Sequence, residues 1–209
     1  MYAHPIPFVR DFFWARLKRI HRNILATAPS RDIVLDFGCG SGVFLPTLCR
    51  TFRVVQAVDI EAEEAQGIKA IYNLENLRLV SVDVNQPTPL NLQPADVIVA
   101  ADVLEHFKDL APPVGRLHEW LKDDGFLYTS GPSENFFTWA GRKLGRMEKP
   151  WDHYHTGYEV EDYLARHGFV RLSSCHVYAW MPMYVVSIWK KSTTIVPRGD
   201  GTVDGSDRI

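Results

Sequence analysis

The residues that say most about chemistry stand in one short segment, Asp36-Phe-Gly-Cys-Gly-Ser-Gly42. Glycines after a strand let the backbone turn tightly and approach a ligand, and the helix that follows such a turn presents unpaired N–H groups. The segment does not match the two common nucleotide-binding loops, the dinucleotide-binding fingerprint and the P-loop. Val43 stands where the dinucleotide fingerprint requires Gly or Ala, and the segment lacks the Lys-Ser/Thr pair of a P-loop. Because Asp36 would repel a pyrophosphate, the segment favours a ligand with a positive group such as an ammonium.

Three further carboxylates each close a strand-like run of apolar residues. Asp59 lies 21 residues after Gly38, where an acid can accept hydrogen bonds from both hydroxyls of a ribose. Asp83 ends the third run, where a carboxylate can accept from the exocyclic amine of an adenine, and Asp102 ends the fourth. Any one of them alone is explained equally well as a turn or helix-capping residue. Three in succession beside a glycine turn predict a nucleoside-binding site.

Hydrophobic periodicity predicts the elements that would bring these carboxylates together. An amphipathic helix from Phe8 to about Ala26 is followed by strands that alternate with helices. The strands are predicted at Asp32–Asp36, Phe52–Val58, Leu77–Val82, Ala95–Ala101 and Gly125–Thr129, and the clearest helices at Ala62–Tyr72 and around Leu117, Trp120 and Leu121. This alternation is typical of right-handed βαβ units and predicts a doubly wound α/β fold with a parallel sheet. The carboxyl ends of parallel strands share one edge, where such folds bind ligands.

The C-terminal part departs from simple alternation. A helix at Val160–His167 precedes two consecutive strand-like runs, Val170–Trp180 and Met183–Lys190, which predict a hairpin added antiparallel at the sheet edge. Residues 132–158 form an aromatic insertion after the fifth strand. A long irregular segment at that edge is more often a binding element than a spacer.

The glycine segment, Asp59, Asp83 and Ala101-Asp-Val-Leu-Glu-His106 resemble motifs I to IV of class I S-adenosylmethionine-dependent methyltransferases. The match is closest to the small-molecule branch that contains the ubiquinone-biosynthesis O-methyltransferases, and it covers about Asp32 to Lys190. The resemblance implies a Rossmann-like sheet of seven strands with an antiparallel final strand. It also implies S-adenosylmethionine as cofactor, with S-adenosylhomocysteine as product. The cofactor-binding residues so implied are Asp36, Gly38, Cys39 and Gly40 at the methionine moiety, Asp59 and Ile60 at the ribose, Asp83 and Val84 at the adenine, and Asp102.

The fourth motif bears on the acceptor and on metal binding. Methyltransferases that act on adenine or glutamine amino groups carry an Asn/Asp-Pro-Pro-aromatic segment after the fourth strand, and this chain has Asp102-Val-Leu-Glu there. On a helix start, Asp102, Glu105 and His106 would share one face and could bind a divalent metal. A comparable segment looks like the metal site of certain ubiquinone and small-RNA methyltransferases. It is also common in methyltransferases without a metal, where the histidine only borders the cofactor pocket, and we expect no metal here.

Candidate catalytic bases come from the insertion, in Trp151-Asp-His-Tyr-His-Thr156. A hydroxyl acceptor must lose a proton when it is methylated, and an imidazole titrates in the right range to remove it. His155 and His153 are the candidates, with His106 as a third. The alternative is a helix-capping loop whose histidines are solvated or bonded to backbone.

The same insertion is rich in aromatic and basic side chains. The aromatic residues would form a lid over an apolar or planar acceptor, or fold as a short helix that packs on the sheet. The basic residues would hold a carboxylate or phosphate of the acceptor, face a membrane surface, or lie on a solvated helix face. The two sets are Phe136, Phe137, Trp139, Trp151, Tyr154 and Tyr158, and Arg142, Lys143, Arg146 and Lys149.

The composition of the chain limits which binding partners and which cellular compartment are expected. The chain of 209 residues has 23 basic and 25 acidic side chains, a formal net charge of −2, which argues against a large nucleic-acid surface. The longest mostly apolar run, Ala179–Trp189, is too short to span a bilayer, and no signal peptide is expected. Three cysteines without CxxC spacing indicate reduced thiols in the cytoplasm. We predict one domain over residues 1–191 and a disordered tail over 192–209.

These observations predict a cytoplasmic methyltransferase that uses S-adenosylmethionine and methylates a small molecule, at oxygen. Oxygen is favoured because a histidine-rich loop would be superfluous for a thiolate acceptor. Methylation of a protein or RNA is the main alternative among enzymes. A binding protein that kept the cofactor pocket but lost catalysis is an alternative of another class. An NAD-dependent oxidoreductase is disfavoured by Val43 and Asp36.

Overall fold

A computed structural model of the chain describes residues 7–86, 90–133, 153–178 and 181–192. Within these ranges five α-helices flank a seven-stranded sheet. The helices are α1 (Pro7–Thr27), α2 (Leu45–Thr51), α3 (Glu63–Ile71), α4 (Ala111–Trp120) and α5 (Gly157–Arg166), with a 3₁₀ turn at Leu104–His106. The strands are β1 (Ile33–Phe37), β2 (Val54–Asp59), β3 (Leu77–Ser81), β4 (Ala95–Ala101), β5 (Leu121–Pro132), β6 (Phe169–Tyr178) and β7 (Met181–Lys191).

The strands follow the order β3-β2-β1-β4-β5-β7-β6 across the sheet. Strands β1 to β5 run parallel, and β7 is antiparallel to both of its neighbours, β5 and β6. The predicted doubly wound sheet of seven strands, mostly parallel and with an antiparallel C-terminal strand, is therefore confirmed.

Two hydrophobic cores lie against the central strands. All five residues of β1 and the first six of β4 are buried, as expected for parallel strands covered on both faces. One core takes Ile20 and Ile24 from α1 together with residues of α2 and α3, and the other takes Leu117 from α4 and Leu164 from α5. The helices thus form two layers that fix the carboxyl ends of the strands at one edge.

The bounds of β5 depend on its partners rather than on local pattern. Leu121, predicted as helical, is the first residue of β5 and pairs with Ala95 of β4 ahead of a bulge. At its other end β5 continues beyond Thr129 to Pro132, because it pairs there with Tyr184 of β7. The strand therefore reaches further over the carboxyl edge than the sequence predicts.

Most of the aromatic insertion falls outside the described residues, which include only 132–133 and 153–158 of it. The aromatic lid and the basic cluster therefore stay predictions. The tail predicted over 192–209 lies outside the described ranges beyond Ser192. In the described part of the chain, every helix is too short or too polar to cross a membrane.

Candidate functional site

The strand order creates a crevice between β1 and β4. From β1 the chain winds towards β2 and β3 on one side, and from β4 it winds towards β5 on the other. In open α/β sheets, ligands bind beyond the carboxyl ends of the strands at this switch point. The glycine turn follows β1 and the fourth motif follows β4, so the two segments meet at this crevice.

The glycine turn adopts a conformation that other residues reach only with strain. Gly38 and Gly40 have φ angles of 77° and 50°, in the left-handed region. A Cβ atom on Gly38 would lie 2.6 Å from Cβ of Val103, so the turns after β1 and β4 are in direct contact. A Cβ atom on Gly40 would meet nothing within 4 Å among the residues that the structure describes. The backbone at Gly40 therefore borders open space where a ligand can approach closely.

Asp59 joins this turn to the ends of β2 and β3. Its carboxylate accepts hydrogen bonds from the N–H of Gly40 at 2.6 Å and from the N–H of Glu61 at 3.0 Å. The next residue, Ile60, is 66% exposed, and its carbonyl accepts from the Ser81 hydroxyl at 3.0 Å. The structure thus brings the residues predicted for the methionine moiety and for the ribose to one edge.

Asp36 is buried at the end of β1, with 3% of its surface exposed. Burial, and then the negative charge of Asp59, raise the pKa of Asp36 to about 7. A cation placed beside the two carboxylates would favour the ionised form of Asp36, so the pair suits a positively charged ligand. Burial also raises the pKa of the neighbouring Cys39 thiol far above its usual value, which leaves that thiol protonated.

Asp83 is engaged by its own turn. One carboxylate oxygen accepts from the backbone N–H of Asn85 at 3.0 Å and from its side-chain amide at 2.9 Å. The backbone hydrogen bond is the main cause that holds the pKa of Asp83 below its usual value. Val84 is buried in the core that also contains Leu117 of α4. The contacts of Asp83 here are those of a turn residue, and its role at an adenine stays a prediction.

Asp102 does not lie on a helix. It has a φ of 53°, and the 3₁₀ turn begins only two residues later. The expectation that Asp102, Glu105 and His106 share one helical face is therefore wrong, because a left-handed residue turns the chain before the helical residues begin. The carboxylate of Asp102 forms an ion pair with Arg16 of α1 through Oδ2, and it accepts from Oγ of Ser130 in β5 at 2.6 Å through Oδ1.

The donor group that the structure assembles instead is Glu105, His106 and His153. Each offers one nitrogen or oxygen atom, and these atoms all lie within 4.8 Å of one another. Glu105 is 1% exposed, and the rings of His106 and His153 meet edge to face with centroids 4.7 Å apart. His153 thus takes the place that the sequence predicted for Asp102. One carboxylate and two imidazoles can hold a divalent metal, and a buried carboxylate can also orient a catalytic imidazole.

Residues 153–156 are anchored to the fourth motif. The N–H groups of Tyr154 and His155 donate to the carbonyl oxygen of Glu105, at 2.9 and 3.4 Å. The segment then enters α5 through a capping box, in which Thr156 and Glu159 each bond to the other's backbone N–H. The Nε2 atom of His155 is buried, without a hydrogen-bond partner in the described ranges. Of the three predicted bases, His106 and His153 come together, and His155 stays outside their group.

Arg16 is the site residue that sequence reasoning missed. Its side chain reaches Asp102 from α1, and the residue is only 6% exposed. The sequence contains a pattern that could have identified it. Arg16 falls three residues after Phe13 and four before Ile20, which places it on the apolar face of the helix. A basic residue on a buried face needs a partner, and that partner was Asp102.

Known protein families and sequences include relatives of this chain. A family model described as a methyltransferase domain matches residues 9–174. The ubiquinone biosynthesis O-methyltransferase of Rhodopseudomonas palustris (strain HaA2) is 26% identical over 176 residues, which cover 78% of this chain and 67% of that protein. The protein of the same name from Serratia proteamaculans (strain 568) is 29% identical over 115 residues, 54% of this chain and 47% of that protein. The chain thus spans about two thirds of the first relative and about half of the second.

Solved structures share the fold. The N-methyltransferase NodS of Bradyrhizobium japonicum WM9 matches with a TM-score of 0.67 at 16% identity, over 90% of this chain and 98% of that chain. The magnesium protoporphyrin IX methyltransferase (ChlM) of Synechocystis PCC 6803, solved with bound S-adenosylhomocysteine, matches with a TM-score of 0.68 at 18% identity, over 91% of each chain. At these identities the likeness concerns the fold alone.

Proposed function

Because the chain belongs to the methyltransferase-domain family, we propose that it transfers the methyl group of S-adenosylmethionine to an oxygen atom of a small-molecule acceptor. Its class, an S-adenosylmethionine-dependent methyltransferase, follows from the family and from its fold. The choice of oxygen and of a small molecule is supported by the distant ubiquinone biosynthesis O-methyltransferases. The observation that carries it is the group Glu105, His106 and His153, which lies after β4 at the same crevice as the glycine turn.

The crevice fits this cofactor. Open space borders the backbone at Gly40, and the carboxylates of Asp36 and Asp59 suit an ammonium group. When bound, S-adenosylmethionine supplies an electrophilic methyl group on a positively charged sulfur. The residues that would hold it are Asp36, Gly38, Cys39 and Gly40 at the methionine moiety, Asp59 and Ile60 at the ribose, and Asp83 and Val84 at the adenine.

The main task of the chain's residues is alignment. Methyl transfer is an in-line displacement, so the rate depends on holding the donor and the acceptor in register. The left-handed glycine turn and its hydrogen bond from Gly40 to Asp59 form a rigid surface for one partner. The anchored segment 153–156 would present the imidazole that removes the proton of the methyl acceptor.

We assign the removal of the acceptor's hydroxyl proton to the imidazole of His153, with His106 beside it. The buried carboxylate of Glu105 lies within 4.8 Å of a nitrogen of each ring. A carboxyl group at that distance can orient the imidazole that accepts the proton. His155 is the weaker candidate because it lies outside this group.

The remaining parts of the proposal concern the acceptor and the compartment. The aromatic and basic residues of the insertion would cover an apolar or planar acceptor that carries an acidic group. The net charge of −2 disfavours RNA as the substrate. All three cysteines are free thiols, which agrees with a cytoplasmic location.

Calorimetric titration with S-adenosylmethionine, S-adenosylhomocysteine and NAD tests the cofactor assignment. We expect micromolar binding of the first two, no binding of NAD, and at least about tenfold weaker binding by Asp59→Ala, which loses a charge-assisted contact. Glu64→Ala, an exposed acid on α3, is the matched control and should bind as the wild type does. Failure of the wild type to bind either sulfur compound would contradict the proposal.

The acceptor is tested by incubating the enzyme with labelled S-adenosylmethionine and a panel of phenolic and acidic small molecules. Mass spectrometry of the product distinguishes a methyl ether or ester from a methylated amine. Transfer to nitrogen only would contradict the choice of oxygen. Cofactor binding without transfer to any small molecule, protein or RNA would favour the alternative of an inactive partner protein.

A further inference from the structure

We infer that Arg16 is a positioning residue of this site, which holds Asp102 in a strained turn and so sets one wall of the cofactor crevice. The inference rests on the proposed function, because it concerns the same crevice. It gives the N-terminal helix α1, which also supplies Leu17, Ile20 and Ile24 to the core, a direct part in shaping the site.

The guanidinium of Arg16 is held on several sides. It forms an ion pair with Asp102, and its side chain and that of Asp102 are 7% and 13% exposed. Its Cζ atom lies 5.2 Å from the ring centroid of Phe13 and 5.1 Å from that of Tyr184. The two aromatic rings meet edge to face, at 6.4 Å. A cation between aromatic faces and beside a carboxylate is fixed in both position and charge.

Asp102 needs such a partner. Its φ of 53° lies in the left-handed region, which disfavours residues that carry a side chain, although Asp less than most. Three contacts hold it there: its N–H donates to the carbonyl of Ser130 at 3.0 Å, the Ser130 hydroxyl donates to Oδ1 at 2.6 Å, and Arg16 pairs with Oδ2. A strained conformation persists only where its surroundings over-determine it. Arg16 supplies the one contact in this set that comes from outside β4 and β5.

The turn at Asp102 determines the position of both halves of the site. The next residue, Val103, packs directly against Gly38. A Cβ atom added to Gly38 would lie only 2.6 Å from Cβ of Val103. Glu105 and His106 follow within the same short segment. Through its ion pair with Asp102, Arg16 acts on the position of these groups. Its loss would let the turn relax and would change the wall against which the glycine turn is packed.

Stability alone does not require this ion pair. Apolar residues of similar volume often replace a buried pair without loss of stability, because removing two charges from water is costly. The face of α1 around Arg16 is otherwise apolar, with Phe13, Leu17 and Ile20 all buried. A charged residue on that face is therefore better explained by the turn it holds than by packing.

The test compares Arg16→Gln, Arg16→Lys and a control on the same helix, Arg10→Gln, which removes an exposed ion pair with Asp11. We measure the Kd of S-adenosylhomocysteine by calorimetry, and kcat and KM for S-adenosylmethionine. We expect Arg16→Gln to raise Kd and KM by about tenfold or more, because it unpairs a buried charge. Arg16→Lys should recover most of the loss and Arg10→Gln should behave as wild type. A purely structural role would lower the active fraction, and hence the apparent kcat, with Kd and KM unchanged.

A double variant, Arg16→Met with Asp102→Asn, removes both charges and guards against a single variant that fails to fold. We expect it to fold and to bind S-adenosylhomocysteine at least about tenfold more weakly than wild type. Wild-type affinity in Arg16→Gln or in the double variant would overturn the inference and leave the proposed function standing. A wild-type protein that binds no S-adenosylhomocysteine would overturn both.

Discussion

A buried carboxyl group, Asp36, makes the folded protein sensitive to pH at the scale of a single residue. Its pKa is about 7 in the folded chain against an ordinary 3.8, because of burial and the charge of Asp59. Between these values the folded protein retains a proton that the unfolded chain has lost. Stability therefore falls as pH rises from about 4 to about 7, since the unfolded state binds fewer protons there.

We predict that Asp36→Asn gains stability relative to wild type as pH rises. Urea denaturation at pH 5, 6, 7 and 8 gives the unfolding free energy of both proteins, and the difference should shift in favour of the variant and level off above about pH 7. Asp124→Asn, at an exposed position, is the control and should follow wild type. Parallel curves for Asp36→Asn and wild type would show that the carboxyl group has no raised pKa.

The histidines give a second prediction at this scale. We expect His153→Ala to lower kcat about a hundredfold or more, the range usual for loss of a general base, without changing the Kd of S-adenosylhomocysteine. His155→Ala, outside the Glu105 group, should lower kcat less than about tenfold. An equal effect of the two variants would contradict the assignment. Loss of activity on dialysis against EDTA, with recovery on adding Mg²⁺ or Mn²⁺, would assign Glu105, His106 and His153 to a metal instead.

At the scale of elements, the site depends on two turns that interlock at the ends of β1 and β4. Gly38 and Gly40 share a left-handed backbone, but only Gly38 is packed against a neighbour, Val103. The two positions therefore separate the cost of backbone strain from the cost of contact between the turns.

We predict that Gly40→Ala lowers the unfolding free energy by about 1 kcal/mol, the cost of a left-handed non-glycine residue. Gly38→Ala should lower it by about 3 kcal/mol, because the added methyl group overlaps Val103 and overpacking is added to strain. Chemical denaturation of both variants measures the difference. Equal losses of unfolding free energy in the two variants would show that the turn after β4 moves without cost and does not stabilise the glycine turn.

At the scale of the whole molecule, the sheet provides an edge that can serve many acceptors. Solved structures with the same fold include one named as an N-methyltransferase, NodS, and one named as a magnesium protoporphyrin IX methyltransferase, ChlM. A shared fold thus does not fix the acceptor, and we predict that the insertion over residues 132–158 selects it. The crevice that we propose for the cofactor, in contrast, is built from the ends of four neighbouring strands and the turns that follow them.

Binding at this crevice should stabilise the whole domain. At a concentration a hundred times its Kd, S-adenosylhomocysteine raises the free energy of unfolding by about 2.7 kcal/mol. For a chain of this size that raises Tm by roughly 5 °C or more. Differential scanning fluorimetry measures the shift, and Asp59→Ala should reduce it. A shift of the same size in Asp59→Ala would place the bound ligand elsewhere on the molecule.

The sequence by itself determined the fold and the edge of the sheet at which the predicted cofactor residues meet. The alternation of apolar runs with amphipathic helices implied the sheet, and the consecutive runs near the C-terminus implied the antiparallel hairpin. The glycine turn with Asp36 and Asp59 could also be predicted from the sequence. Each of these features is encoded by neighbours along the chain, and parallel topology then brings strand ends to one edge without further information.

Only the tertiary structure decided which groups meet above that edge. Asp102 pairs with Arg16 of α1, and His153 of the insertion joins Glu105 and His106 in its place. Both outcomes follow from the left-handed turn at Asp102, which removes its carboxylate from the helical face that spacing predicted. Contacts between residues far apart in the chain depend on how helices and loops pack across the sheet, and no local pattern carries that geometry.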